Sequence, residues 1–308
     1  MLIGLCSAKG SPGVTVSALA LTLTWPRPVV LAECDPAGGD LAAGFLREVR
    51  LDGRGLARLG ASLRRGRLAG DFWGQLVDLA PGKGTAMSRL VLPGLAEPGQ
   101  ARAWSDVDAP GGSTGWRRLA RLLADLGQPG LPAGAGYADP GQAIDALDVI
   151  ADCGRLAAPH APTEILANAD VVVLVARPML PSVRAAAVGL AELTASAAGL
   201  VGLLMIGDGE YPPSECARQL GVPLIAALPT DPTTAQVLSN GGQAHRGRLL
   251  RAATHAASAL ARPPRPPATS AGHDRGERPS ADLPPVDEAG TGPLPKRLRR
   301  RGETSDVR

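Results

Sequence analysis

Short runs rich in Val, Leu and Ile recur along the chain without alternating polar and apolar positions, at 2–6, 29–34, 147–152, 171–176, 201–206 and 223–228, with a weaker run at 89–92. Unbroken apolar runs of this length read as strands buried on both faces, the kind that build parallel sheets. Between them the spacing of apolar residues predicts helices over 14–24, 56–64, 116–126, 162–169, 181–197 and 212–220. Strand alternating with helix predicts an α/β fold of three layers, a mainly parallel sheet flanked by helices.

Two stretches break the pattern. Residues 81–140 are dense in Gly and Pro, and apart from one helix their order cannot be read from the sequence. A last helix is predicted over 243–262, with Leu249, Leu250, Ala253, Ala257 and Leu260 on one stripe and Arg246, Arg248, Arg251 and Arg262 elsewhere. That stripe suits a helix that packs against the sheet or one that lies on a membrane surface. From Pro263 onward prolines, small residues and mixed charges replace the periodicity, which predicts a disordered tail. The expected organisation is one domain over 1–262 followed by a tail over 263–308.

Composition narrows the picture. Of the 308 residues, 44% are hydrophobic but only 3% aromatic, so the core must be built from Ala, Leu and Val. A net charge of +3 is too small to argue for nucleic acid. Arginine supplies most of the positive charge, with lysine only at Lys9, Lys83 and Lys296, which makes Lys9 stand out. Cys6, Cys34, Cys153 and Cys216 lack any C-x-x-C spacing and read as small buried hydrophobes. His160, His245, His255 and His273 show no metal-ligand spacing. No charged leader precedes the first strand and no apolar run approaches the ~20 residues needed to span a bilayer, so a soluble, cytoplasmic protein is expected.

The candidate chemistry lies where predicted strands end. Ser7-Ala8-Lys9-Gly10-Ser11-Pro12-Gly13-Val14-Thr15 joins the first strand to the first helix. A Gly-rich turn at that place lets backbone N–H groups and the positive end of a helix converge on a phosphate, with Thr15 placed to hold Mg²⁺. Against G-x-x-x-x-G-K-[ST], Val14 stands where the lysine belongs and Ala8 where the first glycine does. The second run yields Glu33-Cys34-Asp35-Pro36, and the fourth Asp170 to Pro178; the run at 147–152 ends in Asp152-Cys153-Gly154. Asp35-Pro36 is also an ordinary turn, and a strand-terminal Asp such as Asp152 also serves as a helix cap.

Taken in order, these segments resemble the ParA/MinD family, a group of P-loop ATPases of deviant Walker A type. Its loop reads roughly K-G-G-x-G-K-[ST]: Lys9, Gly10, Gly13 and Thr15 match, while Ser11 and Val14 depart. The resemblance implies a three-layer P-loop NTPase-like fold in which Lys9, Gly10, Ser11, Pro12, Gly13, Val14, Thr15 and Val16 bind nucleotide and Lys9 reaches the phosphates of a dimer partner. It also implies that Asp35, like the second Asp of the family's D-x-D-P-Q segment, lies near Mg²⁺ and the attacking water. Thr15, Asp35 and Asp152 would hold the metal, with Asp35 and Lys9 as catalytic groups. Pro229 and Asp231 match an I-P-x-D stretch near the nucleobase, but Met205-Ile206-Gly207-Asp208 lacks the family's V-x-N asparagine. A divergent branch near the CpaE/TadZ localisation proteins is the implied relative.

The resemblance implies ATP and Mg²⁺ as cofactors and a nucleotide-dependent homodimer that positions cargo or a protein partner. With Val14 in place of the loop lysine, hydrolysis should be weak or absent, since one well-placed cation at a phosphate site is worth about 2–4 kcal/mol. The alternatives are a pseudo-ATPase adaptor that keeps the fold, a small-molecule kinase with its acceptor pocket in 81–140, and DNA or anionic-membrane contact through Lys296-Arg297-Leu298-Arg299-Arg300-Arg301.

Overall fold

The computed structural model describes residues 1–10, 12–79, 88–106, 113–128, 131–132, 143–144, 146–242 and 246–262. The expectations for the tail and its basic cluster lie outside the described residues, as does much of 81–140. The chain begins with β1 (Leu2–Ser7), α1 (Val14–Thr24) and β2 (Val29–Glu33), continues through α2 (Leu56–Arg64), α3 (Leu68–Phe72), β3 (Val77–Asp78) and β4 (Arg89–Leu92), and then α4 (Arg102–Ser105) and α5 (Gly115–Asp125). A two-stranded ribbon of β5 (Leu131–Pro132) and β6 (Ala143–Ile144) precedes β7 (Asp148–Arg155), α6 (Thr163–Ala167), β8 (Val171–Ala176), α7 (Leu180–Ser196), β9 (Leu200–Ile206), α8 (Pro213–Leu220), β10 (Leu224–Leu228), α9 (Pro232–Asn240) and α10 (Arg248–Leu260).

Eight strands form one sheet in the order β10-β9-β8-β1-β7-β2-β4-β3. Every pairing in it is parallel except β3 with β4 at the edge. The central strands are buried along their whole length, as their unbroken apolar runs require. Successive residues still divide between the faces. Leu2 and Cys6 of β1, Val30, Ala32 and Cys34 near β2, and Val149, Ala151 and Cys153 of β7 pack on the side of α2 and α5 to α8. Ile3 and Leu5, Val29 and Leu31, and Ile150 pack on the side of α1, α9 and α10. By the same alternation Glu33 and Asp152 turn to the α1 side at the strand ends.

Trp25, Trp104 and Trp116 are the largest fully buried side chains in a core otherwise built mostly of Leu, Val and Ala, and Trp104 stacks on Trp116 with ring centroids 5.1 Å apart. Close approach replaces bulk where β1 meets α6: a Cβ on Gly4 would lie 2.7 Å from the Leu166 side chain. Leu249, Leu250, Ala253, Ala257 and Leu260 are buried where α10 packs on α1, so the packing alternative for this helix holds. Among the described residues no helix is long and apolar enough to cross a membrane.

Candidate functional site

The sheet's carboxyl end opens a cleft where β1 hands over to α1. The chain leaves β1 between its neighbours β7 and β8 and turns back through two glycines with left-handed backbone, Gly10 (φ 77°) and Gly13 (φ 111°). Gly13 is the N-cap of α1 and offers no side chain to it. The first-turn amides of a helix have no intrahelical partner and carry the positive end of its dipole. Gly10, Gly13, Val14, Thr15 and Val16 line this cleft of about 260 Å³, together with Asp35, Asp40, Gly154 and Arg155. Lys9 is exposed and lines an adjoining cleft, while Pro12 is buried behind the loop. Ser11 lies outside the described residues. Val14 is 7% exposed and belongs to the α1-side core, so the place of the loop lysine is taken by packing.

The second and third segments are fastened to each other under the loop. Glu33 and Asp152 are register partners, and the Cys34 N–H donates to the Asp152 carbonyl at 2.7 Å. The Asp152 side chain is 1% exposed. Its Oδ1 accepts from the Gly154 N–H at 3.0 Å, while its buried Oδ2 finds no hydrogen-bond partner among the described residues. Burial pushes the Asp152 pKa up to about 6; the adjacent Thr15 hydroxyl and the Gly154 N–H oppose the rise, and the charges of Asp35 and Asp40 add to it. Thr15 thus stands beside the carboxyl without forming a well-aligned hydrogen bond to it.

Asp35 sits directly over Gly154, so closely that a Cβ there would collide with its carboxyl group. Its Oδ1 accepts from the Ala37 N–H at 2.8 Å. Partial burial raises its pKa, with the Ala37 N–H and the Arg155 charge working against the rise. Glu33 has a different task. Its Oε1 accepts from the Leu41 N–H and its Oε2 from the Gly94 N–H, both at 2.8 Å, so it pins the loops after β2 and β4. Burial pushes its pKa up to about 7, those amides opposing and Asp152 reinforcing the shift.

This donor set suits Mg²⁺. A buried carboxylate oxygen without a donor, a threonine hydroxyl and a second carboxylate are oxygen ligands for an ion that takes one or two carboxylates and completes its shell with water and phosphate oxygens. Among the described residues no group of three or more His, Cys, Asp and Glu side chains could hold a metal. Two carboxylates and a hydroxyl leave the remaining positions of such an ion to water and the oxygens of an anionic ligand.

A second cleft of about 350 Å³ adjoins the other side of the loop, where Gly13 and Val16 meet Arg177, Gly207, Asp208, Pro229 and Asp231. Asp231 is committed structurally: Oδ1 accepts from the Thr234 N–H at 3.2 Å, and Oδ2 from the Thr234 hydroxyl at 2.8 Å and the Leu249 N–H at 3.1 Å. These donors hold its pKa below the usual carboxylate range, the Leu249 amide most strongly. The four cysteines are buried and free, and burial raises the thiol pKa values, so they are poor nucleophiles.

Sequence reasoning missed Arg155, Asp40, Arg177 and Asp208 as walls of these clefts. In an arginine-rich chain nothing in the sequence sets Arg155 apart, whereas Arg177 lies at the end of the Asp170 to Pro178 segment singled out above. Asp208 carries a signal, since it stands in the segment that corresponds to the family's V-x-N asparagine.

No family model matches this chain, and no curated protein sequence does. Solved structures share its architecture. The cell division ATPase MinD of Pyrococcus furiosus superposes with a TM-score of 0.58 at 18% identity, covering 84% of this chain and 97% of that one. A ParA family ATPase from Chlorobium tepidum gives 0.60 at 16% identity, covering 83% and 98%. The septum site-determining protein MinD of Pyrococcus horikoshii, complexed with Mg-ADP, gives 0.57 at 18% identity, covering 84% and 95%. At these identities the likeness establishes the fold, which is the mainly parallel, helix-flanked sheet of the MinD and ParA ATPases.

Proposed function

We propose that this chain uses the MinD/ParA fold as a nucleotide-dependent switch, binding ATP with Mg²⁺ and dimerising to position a cargo or protein partner. The observation that carries this reading is the meeting of Thr15, Asp35 and the unpartnered Oδ2 of Asp152 at the uncapped start of α1. In it, the amides of Gly13 to Val16 receive the phosphates while Gly10 and Gly13 allow the backbone close approach. Thr15, Asp35 and Asp152 hold the metal, which when bound neutralises phosphate charge and orients water. Asp35, less buried than Asp152, is the carboxylate that positions the attacking water. Lys9, exposed at the loop, is free to reach the phosphates of a second copy. Pro229 and the wall around Asp231 flank the base. The nucleotide-binding unit spans 1–262, and the basic cluster of the tail is a candidate contact for DNA or anionic lipid.

Val14 favours a second reading, in which the fold is retained as an adaptor and nucleotide is not turned over. Losing a cation worth about 2–4 kcal/mol slows transfer by roughly 10²- to 10³-fold while leaving the amides and the metal ligands in place. Titrating the purified protein with a fluorescent ATP analogue, with and without Mg²⁺, alongside Lys9→Ala and Asp152→Ala, tests the site; light scattering on the same samples reads dimerisation. Expected are Mg²⁺-dependent binding that Asp152→Ala weakens and a dimer that forms with nucleotide and is lost in Lys9→Ala. Failure to bind at millimolar ATP with Mg²⁺ removes the switch, and a dimer indifferent to nucleotide and to Lys9→Ala selects the adaptor.

A further inference from the structure

The loop cleft is poor in positive charge. Its carboxylates are Asp35 and Asp40 on the wall and Asp152 beneath, and the side chain at position 14 is apolar. A nucleoside triphosphate carries about four negative charges at neutral pH, of which one Mg²⁺ offsets two, so the protein has to supply further cations nearby. Among the described residues that line this cleft, Arg155 is the one cation.

Its backbone is held firmly where it can act. Arg155 ends β7 and is the register partner of Ser7, the last residue before the loop, and the next amide, Leu156 N–H, donates to the Ser7 carbonyl at 2.9 Å. The side chain is exposed and forms no ion pair among the described residues. Arg155 borders both the loop cleft and the adjoining one that Lys9 lines, so the residue forms part of the wall the two clefts share. Its charge already reaches Asp35 across the cleft.

We propose that Arg155 is the phosphate-binding cation of this site, supplying from the end of β7 the charge that Val14 cannot supply from α1. The inference rests on the nucleotide reading above and assigns that site's missing charge. Arginine suits the position because its planar guanidinium offers paired N–H donors to two phosphate oxygens and stays charged at any working pH. Reaching in from the neighbouring strand, it favours the distal phosphates over the base end of the ligand, so it discriminates triphosphate from diphosphate.

The test is a titration of the full chain with fluorescent ATP and ADP analogues in Mg²⁺, comparing wild type with Arg155→Ala, Arg155→Gln and Arg155→Lys. Arg155→Gln keeps the aliphatic stem and removes only the charge, which guards against loss of packing in the alanine variant. Both neutral variants should weaken ATP-analogue binding on the order of 10- to 100-fold, the span of one charge-assisted contact. They should weaken ADP-analogue binding less and flatten the salt dependence, and Arg155→Lys should recover part of the loss. Neutral variants that bind the ATP analogue within twofold of wild type overturn the role of Arg155 and leave the nucleotide site standing. A wild type that binds neither analogue at millimolar concentration overturns both.

Discussion

Gly154 turns the chain with φ at +63°, beneath the Asp35 carboxyl and with its amide on Asp152. A methyl group there meets two obstacles, the left-handed backbone and the carboxyl above it. Gly154→Ala is expected to cost about 1–3 kcal/mol of stability, visible as a lower Tm, and to move Asp35 away from Thr15 so that the Mg²⁺ dependence of nucleotide binding weakens. Unchanged melting together with unchanged Mg²⁺ dependence would mean that Asp35 and Gly154 do not form one unit. Gly10, Gly13, Gly154, Asp35 and Asp152 could be read from the sequence because each follows a buried strand and does something a different residue type does badly. Arg155 could not, because its value comes from lying beside Ser7 on a neighbouring strand, and that adjacency exists only after β7 pairs with β1.

At the level of elements, the long buried strands were legible for a simple reason: a run such as Val171-Val172-Val173-Leu174-Val175-Ala176 has no polar side to place in water. Elements stabilised by a single distant partner were not. The strand predicted over 147–152 continues as far as Arg155, carrying a polar Asp-Cys-Gly-Arg end that stays paired because β1 lies alongside. The short edge strand β3 has only β4 to define it. Helix α9 has a favourable start, the Asp231 carboxylate at the N-cap and Pro232 in the first turn, but its Thr233-Thr234 continuation has low helix propensity. The same carboxylate accepts the Leu249 amide in the first turn of α10, so one residue caps both helices, and α10 in turn packs on α1 behind the loop. Asp231→Ala should therefore cost more than an ordinary surface change, about 1–2 kcal/mol, with Asp231→Asn milder because one acceptor oxygen survives. Thermal melts of the two variants check this; an alanine variant as stable as wild type would show that the shared cap contributes nothing.

For the whole molecule, the consequence of bringing these segments together is a set of acids held where water cannot reach them. Glu33 and Asp152 sit side by side at the centre of the sheet, their pKa values raised to about 7 and about 6 chiefly by burial, from ordinary values of 4.5 and 3.8. A carboxyl whose pKa is higher in the folded chain than in the unfolded one binds its proton more tightly when folded, so its favourable contribution is complete below the unfolded value and disappears as pH rises through the folded value. For Glu33 that window runs from about 4.5 to 7 and for Asp152 from about 3.8 to 6. The raised pKa of Asp35 acts in the same sense, whereas Asp71 and Asp231, held below the usual range, lose their contribution only in more acidic solution. Nucleotide-free protein in metal-free buffer should therefore melt at a higher temperature near pH 5 than near pH 7.5, with Glu33 alone changing stability on the order of 3 kcal/mol across its window. Glu33→Gln cannot titrate, so it should flatten the upper part of the profile even as loss of one acceptor for the Leu41 and Gly94 amides lowers the whole curve. Melting curves at half-unit pH steps decide the matter: a wild-type Tm that climbs steadily from pH 5 to pH 7.5 would mean that these acids are ionised at little cost and that the centre of the site is wet.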